Sequence, residues 1–278
     1  MIIALFPNTD KRQSMNLAIG IREFLANHQV TVVSEDAEAE GIGAQPLSSI
    51  DPRKLDFLIS MGGDGTILRL IHKYEEWNVP LLGINMGHLG FMADVPIADI
   101  YPSLQDLLQG AYKIEERLMI EGETMQGERC FAVNDIVIHR GQNPSLVELA
   151  IHIDGLYLNT FEADGIIVAT PNGSTAYSLA AGGPIISPDV EALALTPIAP
   201  HTISNRPIIL SAHEIQIQYL SAYDPVEIRA DGLTHQELRT GDVYRICRSK
   251  KRFKIVSLTR RNYYSTLRTK LSWSGKLR

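Results

Sequence analysis

The chain has 278 residues, 45% hydrophobic and 21% charged, with a formal net charge of −6. This is the composition of a soluble globular protein of one large or two modest domains, and it excludes a disordered or fibrous chain. No apolar run approaches the roughly 20 residues of a membrane span, residues 1–6 lack the basic region of a signal peptide, and Cys130 and Cys247 stand far apart outside any CxxC pattern, as free thiols of a reducing compartment do.

Ile2–Phe6 reads as a first strand, and residues 11–27 carry helical spacing on Met15, Ala18, Ile19, Ile21 and Leu25. A second strand is expected at 30–33 and a third at 56–60. The third is followed by Met61-Gly62-Gly63-Asp64-Gly65-Thr66 and a helix to about Glu76. A fourth strand at 79–84 and a helix near 97–110 complete a βαβα order, which predicts an open parallel sheet covered by helices. Ligands of such sheets bind outside the carboxyl ends of the strands, where both glycine-rich turns fall.

From about residue 117 period-two segments dominate: 132–139, Val147–Ile153, 156–161, 215–220, Val226–Ala230, 244–247 and 253–258. Asp154-Gly155 between two alternating runs signals a hairpin. These segments predict a second, mostly antiparallel β domain. Beyond Asp242 there is no acidic residue, while residues 248–278 carry 11 of the 26 Lys and Arg. A basic tail can bind nucleic acid. The apolar residues running through this one (Phe253, Val256, Tyr263, Leu267, Leu271) point instead to docking on the acidic remainder or facing a phosphorylated ligand.

The turn at 61–66 carries the most chemistry. Glycines at a strand-to-helix junction let backbone N–H groups approach a phosphate closely. A carboxylate among them would repel that phosphate, so Asp64 reads as a base or as a group facing a hydroxyl. The combination points to phosphoryl transfer to an alcohol.

The second loop is Thr170-Pro171-Asn172-Gly173-Ser174-Thr175-Ala176-Tyr177, after Asp164-Gly165 and a buried strand. Ser174 suits the N-cap of a helix at 175–181 ended by Gly182-Gly183-Pro184. A capped helix without a ligand fits these residues as well as a binding site does. Asn172 and Ala176 replace the glycines of GxSxG, so Ser174 is no hydrolase nucleophile. In the turn at 83–91, Asn85 and Phe91 suit a purine, although a tight turn with Phe91 filling an interface needs the same residues. Neither GxxxxGK[ST] nor GxGxxG is present, and no HxH, HExxH or CxxC pattern suggests a protein-held metal.

Taken together, these segments resemble the NAD kinase family. The likeness rests on Gly62-Gly63-Asp64-Gly65-Thr66, Gly87-His88-Leu89-Gly90-Phe91, Asn134-Asp135, Asp164-Gly165, the loop at 170–177, Gly182-Gly183-Pro184, Pro200-His201, Arg206-Pro207, Asp231-Gly232 and Leu267-Arg268-Thr269-Lys270-Leu271. The resemblance implies an N-terminal α/β domain (1–116) joined by a returning tail (260–278), and a β-rich NAD-binding domain (117–259). It implies a cytoplasmic homodimer or homotetramer that makes NADP from NAD with ATP, or with polyphosphate, and needs neither nucleic acid nor membrane. Asp64 would be the catalytic base, and Gly62, Gly63, Gly65 and Thr66 would hold donor phosphates. Gly65, Phe91, Asn134, Asp135, Asp164, Thr175, Ala176, Tyr177 and Asp231 would contact NAD, Asp164 from across a subunit interface. The family often has Glu where Asp135 stands, which shortens the reach of that carboxylate. A divalent ion, Mg²⁺, would bind mainly through donor phosphates. Two other readings share part of the pattern: a lipid or sugar kinase with the first turn alone, and a non-catalytic dinucleotide-binding regulator.

Overall fold

The computed structural model describes residues 1–9, 12–87 and 89–275. His88 of the second glycine turn, Lys11 at the expected start of the first helix and residues 276–278 of the tail lie outside the described residues. The chain forms two compact units, residues 1–116 with 254–278, and residues 117–253.

The first unit comprises β1 (Ile2–Phe6), α1 (Arg12–Asn27), β2 (Thr31–Ser34), α2 (Asp36–Ile42), β3 (Gln45–Pro46), β4 (Phe57–Gly62), α3 (Asp64–Lys73), β5 (Leu81–Asn85), β6 (Val95–Pro96) and α4 (Ile100–Gln109). The chain leaves this unit within β7 (Tyr112–Glu123) and returns within β18 (Val243–Leu258), ending in α6 (Tyr263–Lys270). The end of β18 lies beside β5, and the order continues β4, β1, β2, β3, all parallel. Both β4 and β5 are buried along their whole length, as strands covered on both faces must be; this is why they read as unbroken apolar runs. Their core joins Ile3, Leu5, Ile59 and Leu82 to Ile21, Leu25 and Leu104 from the helices and to Val256 and Leu258 from the returning segment.

The basic tail docks on acidic partners of this unit. Arg260 pairs with Asp106 and Arg261 with Asp99, while Lys254 lies 3.9 Å from Glu116. The return begins at Lys254 rather than at 260, because Ile255 already pairs with Leu81. The sequence reading contains no counterpart of α2, whose only buried residues are Ala39 and Ile42; Gly43 ends it at φ 70°. The expected helix at 97–110 is a 3-10 turn, Ile97–Asp99, followed by α4.

The second unit holds β8 (Arg129–Ala132), β9 (Asp135–His139), β10 (Val147–Ile153), β11 (Leu156–Ala163), β12 (Gly165–Ala169), the single turn α5 (Tyr177–Ala180), β13 (Leu193–Ile198), β14 (Ile208–Leu210), β15 (Glu214–Tyr219), β16 (Val226–Ala230) and β17 (Gln236–Leu238). Its strands are antiparallel in two sets, β11-β10-β15-β18 and β14-β13-β12-β9-β16-β17. Leu149, Ile151, Ile166, Val168, Ile215, Ile217 and Ile228 meet in its core. Asp154 (φ 49°) and Gly155 (φ 83°) turn the β10–β11 hairpin with both central residues left-handed. The single strand expected at 132–139 is broken at Val133 and Asn134. The strands expected at 244–247 and 253–258 are one strand. The helix expected at 175–181 is a 3-10 turn, Gly173–Thr175, and the one-turn α5. Among the described residues no helix is long and apolar enough to cross a membrane.

Gly165 opens β12 against β9, where an added Cβ would lie 2.3 Å from the carbonyl oxygen of Ile138. Gly165→Ala is expected to destabilise the protein by about 1–3 kcal/mol through forced separation of the two strands, read as a lower urea midpoint.

Candidate active site

In the first unit Asp64 is the first residue of α3, directly after Gly63. Its Oδ2 accepts the N–H of Phe91 (2.8 Å), and its Oδ1 accepts those of Met92 (3.0 Å) and Ala93 (2.9 Å). A carboxylate offers roughly four acceptor positions, so one remains, on Oδ2. The N–H groups of Thr66 and Ile67 return to the Gly63 carbonyl. Those of Asp64 and Gly65, at the helix start, have no intrahelical acceptor and can serve an anion.

The glycines of this turn divide by role. A Cβ on Gly63 or Gly65 would meet nothing within 4 Å, whereas one on Gly62 would lie 2.3 Å from Thr66 Oγ1. Gly62 is the buried end of β4, where packing against Thr66 leaves no room for a Cβ. Asn85 also departs from expectation. Its amide donates to the Ala93 carbonyl (3.2 Å) and its Oδ1 accepts the Gly87 N–H (2.6 Å), so it braces the turn and is not free for a purine. Phe91 is half-buried, with its ring centroid 6.1 Å from that of Tyr263 and 5.5 Å from Lys270 Nζ, both on α6.

The second unit gathers Asn134, Asp135, Ala176, Tyr177 and Asp231 around one cavity of about 480 Å³. Asp231, at φ 52°, accepts the N–H groups of Val133 (2.8 Å), Asn134 (2.7 Å) and Asp135 (3.2 Å), while its own N–H donates to the Asp135 carbonyl. These bonds replace the sheet ladder where β8 gives way to β9. Asn134 Oδ1 accepts the Asn172 amide at 2.6 Å, and its carbonyl accepts the Thr170 N–H at 2.8 Å. A Cβ on Gly173 would lie 2.0 Å from that carbonyl, so Gly173 lets the second loop close onto Asn134.

Other expected residues lie elsewhere. Ser174 caps no helix: it is buried, donating to the Pro171 carbonyl and accepting the Ile186 N–H. Thr175 donates to the Asn172 carbonyl and does not line the cavity. Asp164 pairs with Arg140 at 2.6 Å. It precedes β12, whose five residues span ~17 Å, so it stands at the far end from the second loop. Val137, His139, Glu227 and Arg229 line the cavity without having been anticipated. Their signal was the two-residue period: Asp135, Val137 and His139 share one face of β9, and Glu227 and Arg229 sit opposite His139 and Val137 on β16.

Residues 3–112 match the ATP-NAD kinase N-terminal domain and residues 133–258 the ATP-NAD kinase C-terminal domain. The chain belongs to the NAD kinase family. It is 52% identical to the NAD kinase of Protochlamydia amoebophila over the full length of both chains, and 37% identical to that of Moorella thermoacetica, covering 98% of this chain and 90% of the relative. Among solved structures it resembles yeast NADH kinase complexed with NADH (TM-score 0.85, 27% identity, 100% of this chain and 89% of the other). It also resembles an NAD kinase from Archaeoglobus fulgidus in complex with ATP (TM-score 0.78, 26% identity, 99% and 100%).

In this kinase, burial and the neighbouring Asp231 charge push Asp135 up to about 7. Between about pH 4 and pH 7 the folded protein therefore keeps a proton that the unfolded chain has lost, and stability falls as pH rises through that window. Asp135→Asn is expected to remove this slope. Urea unfolding of both proteins from pH 4.5 to 7.5 checks it: the variant should gain on the wild type as pH rises.

Proposed function

We propose that this kinase transfers the terminal phosphoryl group of ATP to the 2′-hydroxyl of the adenosine ribose of NAD, giving NADP. The observation that carries the reading is the unfilled acceptor position on Asp64, set between two glycines that face open space. A 2′-hydroxyl is too weak an acid to be ionised beforehand. Asp64 orients it and takes its proton as the new P–O bond forms. The N–H groups of Asp64 and Gly65 hold donor phosphates, and the rest of the acceleration is positioning and charge neutralisation. Asn134, Asp135, Ala176 and Tyr177 bind the dinucleotide, with Asp231 holding the first two in place. Phe91 offers its half-buried ring.

Mg²⁺ is the divalent ion of this reading and neutralises phosphate charge. The ion of this reading is carried mainly by the donor phosphates. Asp164, paired with Arg140 away from the cavity, acts on the site of a second subunit in a homodimer or homotetramer. The free thiols Cys130 and Cys247 fit a cytoplasmic enzyme. Polyphosphate is an alternative donor.

The test is NADP formation from NAD, ATP and Mg²⁺ by the wild type and by Asp64→Asn. The variant should lose ~10²–10⁴-fold in turnover, with a smaller rise in the KM for NAD because its amide cannot accept the Phe91 N–H that Asp64 holds. Full activity in the variant would remove Asp64 from the base role.

A further inference from the structure

Asp94 directly follows the segment 91–93 whose N–H groups Asp64 holds, and it leads into β6. It takes no part in the site described above. Burial pushes its carboxyl up to about 6, against the pull of the Arg261 guanidinium. The like charges of Asp64, at the head of α3, and Glu115, on β7, push the same way as burial. Arg261 is thus the cation that makes an ionised Asp94 tolerable beside Asp64.

Arg261 belongs to the returning tail, two residues before α6. Its side chain is only 19% exposed, and one end of it donates to the Asp99 carboxylate. Asp99 stands at the N-cap of α4 yet makes no capping bond; its carboxylate goes to Arg261 instead. Arg261 Nε is buried and has no hydrogen-bond partner among the described residues. The neighbouring Arg260 pairs with Asp106 in an exposed position, where such pairs contribute little. Arg261 is a different case. Taking away one member of a partly buried charge cluster leaves the others uncompensated, which costs far more than an exposed pair gains.

Just beyond Arg261, α6 buries Leu267 and carries Tyr263 and Lys270 to the ring of Phe91. The stretch that bears Phe91 is therefore held twice: by Asp64 at its backbone, and through Asp94 and Arg261 by the tail that flanks the ring.

We propose that Arg261 is a positioning residue for the dinucleotide: it compensates the Asp94 carboxylate, joins it to Asp99 and so seats α6 against Phe91. Its link to NAD rests on the kinase reading above, in which Phe91 meets the dinucleotide. The attraction between Arg261 and Asp94 exists only while Asp94 is ionised. Loss of Arg261 therefore matters most at pH 7.5 and less at pH 5, where Asp94 carries its proton with or without Arg261; the share due to Asp99 remains.

The experiment compares wild type, Arg261→Ala, Arg261→Lys, and Arg261→Ala combined with Asp94→Asn. It reads hydrogen exchange of the amides of residues 263–270, the Kd for NAD by titration calorimetry, which needs no turnover, and kcat. At pH 7.5 Arg261→Ala should exchange those amides about 10-fold faster and bind NAD about 10-fold more weakly, the scale of a lost hydrogen bond to a charged group. Its kcat at saturating substrates should change far less. Adding Asp94→Asn should recover most of the loss, Arg261→Lys should retain most of the binding, and the gap in exchange between Arg261→Ala and wild type, read at equal pH, should narrow from pH 7.5 to pH 5. Wild-type exchange of residues 263–270 in Arg261→Ala, or a defect that Asp94→Asn leaves whole, overturns the seat. A loosened α6 with an unchanged Kd overturns the positioning role. If wild type binds NAD but makes no NADP, the kinase reading falls, while exchange and Kd still judge Arg261.

Discussion

One carboxylate gripping three successive backbone N–H groups is the interaction on which the first unit's site depends. Hydrogen bonds to an ionised acceptor are short and strong, and those from residues 91–93 tie the head of α3 to the second glycine turn. The glycines of that turn serve the grip. A Cβ on Gly90 would fall 2.1 Å from Asp64 Oδ1, and one on Gly83 would fall 2.5 Å from the Met92 carbonyl oxygen. The residue proposed to take the proton is therefore also the one that fixes where Phe91 stands.

The second unit repeats the device with different residues. Asp231 holds the N–H groups of 133–135 as Asp64 holds those of 91–93. In both, the clamped segment carries side chains expected to meet the dinucleotide. Side chains mounted on a backbone held at three points lose little further freedom when a ligand arrives, and this preorganisation is what positional catalysis requires. The arrangement has an electrostatic cost in the second unit, where the buried Asp135 shares its surroundings with the Asp231 charge and holds its proton to about pH 7.

Much of this was legible in the sequence. The buried parallel strands, the Asp154-Gly155 hairpin and the turn around Asp64 each combine local chemistry with a clear period, so pattern and fold agree. The departures have physical reasons. The alternation through 132–139 continues across Val133 and Asn134, yet their N–H groups go to Asp231, about 97 positions away in sequence; no local pattern can announce such a bond. The small residues at 173–178 look like a helix start, but Ser174 turns inward to the Pro171 carbonyl and the loop closes onto Asn134. Glu227 and Arg229 alternate visibly along β16, but only its register with β9 brings them to the cavity.

The discontinuity of the first unit has a consequence for biosynthesis. Domains fold as units while the chain emerges from the ribosome. Residues 117–253 are contiguous and are complete before translation ends. The older-synthesised residues 1–116 lack their edge strand beside β5 until 254–258 emerge, and Phe91 lacks its neighbours on α6 until Tyr263–Lys270 follow. The unit whose synthesis begins first is thus the last to close, and the turns that carry Asp64 and Phe91 gain their full surroundings only after residues 117–253 have been made and residues 254–270 have followed them.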